Sequence, residues 1–95
     1  MMLRKVMVDY DSSRKEQRFM VGVLLTNGQE GVGYGSDFAS ACLLAVESIF
    51  GISIERISFS VFLPIDNTST DLYYRFAELA VKAGERQRRQ EVLSI

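Results

Sequence analysis

Three segments in the first part of the chain have the patterns of β-strands. Residues 3–10 alternate in apolar and polar character, residues 18–26 are apolar on both faces, and residues 29–35 follow as the partner strand. Asn27 and Gly28, between the second and third segments, form the dipeptide typical of a tight hairpin turn. The pattern predicts an antiparallel sheet whose central strand is covered on both faces.

Apolar residues at helical spacing predict two helices, over residues 37–50 and 72–90. Ser36 or Asp37 can cap the first helix, which is expected to end at a glycine. Residues 52–63 alternate again and predict a fourth strand between the helices.

These elements predict an α+β fold, in which an antiparallel β-sheet carries two helices on one face in the order β-β-β-α-β-α. A chain of 95 residues holds one hydrophobic core, so we expect residues 1–95 to form a single domain.

The composition excludes several kinds of chemistry. Hydrophobic residues make up 47% of the chain, charged residues make up 24%, and the net charge is -1, as in ordinary folded domains. There is no histidine, and Cys42 is the only cysteine, so a Cys–His pair, a histidine metal site and an intramolecular disulfide are all ruled out. We therefore expect neither enzymatic activity nor a cofactor or metal. With no apolar run of signal-sequence or membrane-spanning length, a cytoplasmic location is expected.

The predicted helix over residues 37–50 has a wider apolar surface than contact with a sheet requires. Either the helix over residues 72–90 covers the excess, or a second copy of the chain does. The second alternative predicts a homodimer that pairs through the outer side of the central strand or through the flank of the helix. The candidate interface residues are Met20, Leu24, Leu43, Leu44 and Phe50.

Gly31, Gly33 and Gly35 alternate along the third predicted strand, directly before a helix. Backbone N–H groups at such a place can bind a carboxylate or phosphate. Alternatively, the glycines allow a bulge or close contact between helix and sheet. A dinucleotide-binding loop is excluded, because Ser36 stands where the third glycine of that motif is needed.

The spacing of Gly31, Gly33, Asp37, Ala41 and Ala45 resembles a signature in the C-terminal regulatory domain of 2-isopropylmalate and citramalate synthases. The resemblance implies a non-catalytic unit that dimerises and binds a small amino acid or keto acid. The catalytic barrel of that family is absent from this chain. On this resemblance, the ligand-binding residues are Gly33, Gly35, Asp37 and Ala41.

A second resemblance implies an alternative function. Residues 18–23, the hairpin and the alanine-rich helix are similar to the β-β-β-α half of double-stranded-RNA-binding domains. Those domains place lysines at the start of the helix, where this chain has Ser36 and Asp37. Because RNA affinity depends strongly on cations that displace counterions, we do not expect nucleic acid as a partner.

Overall fold

Three antiparallel strands and two helices make up residues 2–54 and 70–93, the parts of the chain that the computed structural model describes. The central strand β2 pairs with β1 on one side and with β3 on the other. The fold is therefore α+β with an antiparallel sheet, as predicted. The elements are β1 (Leu3–Tyr10), β2 (Phe19–Leu25), β3 (Glu30–Gly35), α1 (Phe38–Phe50) and α2 (Thr70–Leu93).

The order of the described elements is β-β-β-α-α, which corrects the predicted order β-β-β-α-β-α. Ile52, Ser53 and Ile54 are not in a strand, and the rest of the predicted strand over 52–63 lies outside the described residues. The physical reason is that side chains of the helices bind this backbone. Glu47 Oε2 accepts a hydrogen bond from the Ile54 N–H at 2.6 Å, and Gln87 donates one to the Ser53 carbonyl.

The hairpin between β2 and β3 forms at the predicted dipeptide. Gly28 has a φ of 90°, a value that glycine adopts without strain. The Leu25 N–H donates to the Gln29 carbonyl at 2.8 Å, and Asn27 Oδ1 accepts from the Gln29 N–H at 3.0 Å. This turn sets the register of β2 against β3.

The hydrophobic core lies between the helices and one face of the sheet. Val21 and Val23 of β2 are completely buried there, together with Ala41 and Ala45 of α1. Phe38 at the start of α1 stacks on Tyr73 of α2, with ring centroids 4.1 Å apart.

At its other end, α1 packs Phe50 against Gly84 of α2. Because the start of α1 meets the first turns of α2 and its end meets a later turn, the two helices run in the same direction. The N–H of Gly51, in the left-handed conformation at φ 67°, donates to the Glu47 carbonyl and ends α1 as predicted.

Candidate functional site

The glycines of β3 lie directly beneath the backbone of α1. A Cβ built on Gly31 would overlap the carbonyl oxygen of Ala45, and one built on Gly33 would overlap that of Ala41. A Cβ on Gly35 would lie 2.9 Å from the Ala41 nitrogen. Alternate strand residues are about 6.7 Å apart and four helical residues rise about 6 Å, so the two spacings match along the contact. Close packing of helix on sheet therefore explains the glycine–alanine spacing.

The four predicted ligand-binding residues come together at the start of α1. Gly33 and Ala41 are buried where strand and helix meet, and Gly35 lies at the end of the same contact. Asp37 caps the helix, because its Oδ1 accepts a hydrogen bond from the Ser40 N–H at 2.7 Å. Each residue thus has a packing or capping role, and ligand binding at this place stays a prediction.

Two of the predicted interface residues lie in the core. Leu43 is 1% exposed and Phe50 is 5% exposed. The prediction that these two residues form an interface is therefore corrected: both side chains belong to the hydrophobic core, and the Phe50 ring packs where Gly84 of α2 has no side chain. Leu44 is 43% exposed and remains at the surface.

The opposite face of the sheet, here called the outer face, is covered by neither described helix. Met7, Val32 and Tyr34 are 43%, 48% and 42% exposed on it. Met20 and Leu24, both predicted as interface residues, are half-buried on its central strand. The face consists of Lys5, Met7, Asp9, Met20, Gly22, Leu24, Glu30, Val32 and Tyr34.

Sequence reasoning missed three of the apolar residues on this face. Met7, Val32 and Tyr34 are separated along the chain, but strand pairing brings Met7 and Val32 to either side of Gly22, and Tyr34 next to Met20. The hairpin at Asn27-Gly28 could have predicted their position, because the register that it imposes determines which β3 residues face outward.

The strand register arranges the outer face in three rows. The first row is Asp9, Met20 and Tyr34, and the middle row is Met7, Gly22 and Val32. The third row is Lys5, Leu24 and Glu30. Charged side chains thus stand at three corners of the face, Tyr34 stands at the fourth, and the middle row carries no charge.

A shallow hollow of about 180 Å³ borders the first row. The loop between β1 and β2 forms its wall. The lining residues are Asp9, Asp11, Arg14, Gln17, Arg18, Met20 and Tyr34.

Local hydrogen bonds hold this loop in place. The Asp11 N–H donates to the Arg18 carbonyl at 2.8 Å, which closes the base of the loop. Asp11 Oδ1 accepts from the Ser13 hydroxyl at 2.6 Å and from the Ser13 N–H at 3.0 Å. These two bonds, followed by the nearby charge of Arg14, lower the pKa of the Asp11 carboxyl. The Asp11 carboxylate is therefore a stable acceptor at neutral pH.

Cys42 of α1 is completely buried, and loss of hydration raises the pKa of its thiol to about 12. A thiol in this state is a poor nucleophile at neutral pH. Within residues 2–54 and 70–93, no three cysteine or acidic side chains are grouped to hold a metal ion. Over the same residues, no helix has the length and apolarity needed to cross a bilayer.

No protein-family model, curated protein or solved structure matches this chain. The resemblances to the synthase regulatory domain and to RNA-binding domains therefore stay predictions.

Proposed function

We propose that this protein is a non-catalytic dimerisation module that pairs through the outer face of its sheet. The observation that carries the proposal is the exposure of Met7, Val32 and Tyr34 beside Met20 and Leu24 of the central strand. Apolar side chains grouped on one exposed face often mark a contact with another protein, because covering them releases water. A second copy offers the same patch and is complementary to it about a twofold axis.

Face-to-face packing of two sheets suits this surface. Sheets stack about 10 Å apart with interdigitating side chains. Gly22 has no side chain, and a Cβ built there would meet the end of the Met7 side chain at 3.0 Å. Met7 therefore lies partly over the middle of the face and supplies flexible apolar contact area.

The size of the face limits the stability of the pairing. Three strands of six residues span about 14 by 20 Å, or roughly 300 Å² of flat area. Stable complexes bury about 800 Å² of accessible surface per partner, so association through this face is expected to be weak and reversible.

Ligand sensing enters this proposal through the resemblance to the synthase regulatory domain. Leucine, isoleucine and pyruvate are the amino and keto acids with which to test it, by the shift of the unfolding temperature. Duplex RNA binding is the alternative function. The composition of α1 argues against RNA binding, because its thirteen residues include no lysine or arginine to bind phosphates.

Sedimentation velocity over a range of micromolar concentrations tests dimerisation. The wild-type chain is expected to change from monomer to dimer as its concentration rises. Val32→Glu is expected to remain monomeric, because a dimer would bury its carboxylate against apolar side chains. Leu44→Glu is the matched control, since Leu44 is similarly exposed but lies on α1.

Two results would overturn the proposal. One is a wild-type chain that stays monomeric at every concentration. The other is a dimer that Leu44→Glu dissociates and Val32→Glu does not, which would move the contact to the helix layer. Salt-sensitive retention of duplex RNA by the monomer would favour the RNA-binding alternative.

A further inference from the structure

We propose that two copies pair with their β2 strands antiparallel, so that Lys5 of one copy faces Asp9 of the partner subunit. This orientation rests on the dimerisation proposed above and adds to it the placement of the twofold axis. The axis crosses the three strands at the middle row, which contains Gly22.

Only two twofold axes in the plane between the sheets stack the outer faces in alignment. An axis across the strands places the first row over the partner's third row. Lys5 then faces the partner's Asp9, Leu24 faces the partner's Met20, and the charges at the edge of β1 are paired. An axis along β2 places each row over the same row of the partner subunit, so that Lys5 faces the partner's Glu30.

The loop between β1 and β2 distinguishes the two axes. It walls the hollow at the first row, whereas the other end of the sheet closes with the short turn at Asn27-Gly28. An axis along β2 would bring two such walls to the same end of the dimer, where both loops project into the space between the sheets. An axis across the strands instead places each loop wall at the end of the partner sheet that closes with the short turn.

The Tyr34 hydroxyl supplies a second polar contact at β3. In the antiparallel arrangement, Tyr34 faces the partner's Glu30, whose carboxylate can accept a hydrogen bond from this hydroxyl. Each copy would contribute one such contact, so the twofold axis doubles both the Lys5–Asp9 and the Tyr34–Glu30 pairings.

Charge reversal at Lys5 and Asp9 tests the orientation by sedimentation. Within one chain, these residues are four apart along a strand, about 13 Å, which exceeds the screening length of about 8 Å at physiological ionic strength. If the effects of substituting Lys5 and Asp9 on the dimerisation constant are not additive, the interaction between them must therefore be mainly between the two copies. Lys5→Glu and Asp9→Lys are each expected to weaken the dimer by about tenfold, and the double variant is expected to restore it.

The double variant Lys5→Glu with Glu30→Lys is the matched control for the other axis. Restoration by this pair, and not by the Lys5–Asp9 pair, would overturn the antiparallel orientation while leaving dimerisation intact. A dimer that neither pair restores would also overturn it. A wild-type chain that is monomeric throughout would instead remove the dimerisation on which the orientation rests. Circular dichroism of every variant confirms that the exposed substitutions leave the fold unchanged.

Discussion

The carbonyl oxygen of Ala41 occupies the space in which a side chain on Gly33 would begin. This contact sets the distance between β3 and α1, because no larger residue at position 33 leaves room for the helix backbone. It also gives the alternating glycines of β3 a structural purpose before any ligand is considered.

Gly33→Ala is expected to lower the free energy of unfolding by about 3 kcal/mol, because the added methyl group forces rigid backbone apart. Denaturant unfolding followed by circular dichroism measures the change. Gly22→Ala is the matched control within the same sheet. There the nearest atom is the end of the flexible Met7 side chain, so a loss below about 1 kcal/mol is expected. Equal losses at the two positions would contradict the close contact between β3 and α1.

Gly84→Ala is expected to destabilise the protein although alanine is the better helix former by about 1 kcal/mol. A Cβ at this position would lie 2.6 Å from Phe50 Cδ2, and the resulting overpacking outweighs the gain in helix propensity. The same denaturant experiment gives the net loss, which we expect to be about 1 kcal/mol.

The sign of this effect should reverse when the ring is removed. In a Phe50→Leu background, Gly84→Ala is expected to raise the free energy of unfolding, because helix propensity then acts without the clash. A loss of similar size in both backgrounds would show that Phe50 is not the residue that requires glycine.

Asp37→Ala is expected to cost about 1 kcal/mol of stability, because the Ser40 N–H loses its acceptor at the first turn of α1. Asp37→Asn keeps a side-chain oxygen at this position and should cost less. Thermal unfolding compares these variants with Ser36→Ala, which removes the other hydroxyl or carboxyl side chain at the start of the helix. A larger effect at Ser36 than at Asp37 would contradict the observed cap.

Cys42 is expected to weaken the fold at alkaline pH. Its thiol has an ordinary pKa of 9.0, and burial raises the folded-state pKa to about 12. Between these values the unfolded chain binds fewer protons than the folded chain, so stability falls as pH rises. Relative to Cys42→Ala, the wild-type free energy of unfolding should fall by up to about 1.4 kcal/mol per pH unit in this window.

A thiol-labelling reagent checks the same burial at neutral pH. Cys42 is expected to react in urea and to resist labelling in the native protein. Rapid labelling of the folded chain, or a constant stability difference from Cys42→Ala above pH 9.0, would contradict a buried neutral thiol.

The strands and α1 could be predicted closely because their signals are local. The residues predicted as 3–10 form β1 over Leu3–Tyr10, and the helix predicted over 37–50 forms α1 over Phe38–Phe50. Period-two alternation, a side-chain cap and a terminal glycine are properties of neighbouring residues.

The surfaces were predicted less well. Leu43 was expected at an interface, yet it is buried in the core, because burial depends on residues that are distant in the chain. Met7, Val32 and Tyr34 were missed for the same reason, since cross-strand pairing determines which side chains share the outer face.

The sequence by itself determined the types and limits of most elements, the hairpin at Asn27-Gly28, the absence of histidine chemistry and the glycine spacing of β3. Only the tertiary structure decided that the backbone of α1 fills the space above those glycines and that the outer face remains uncovered by the described helices. The physical reason is the range of the interactions. Backbone preferences and periodicity act between neighbours, whereas burial depends on which distant surfaces pack together.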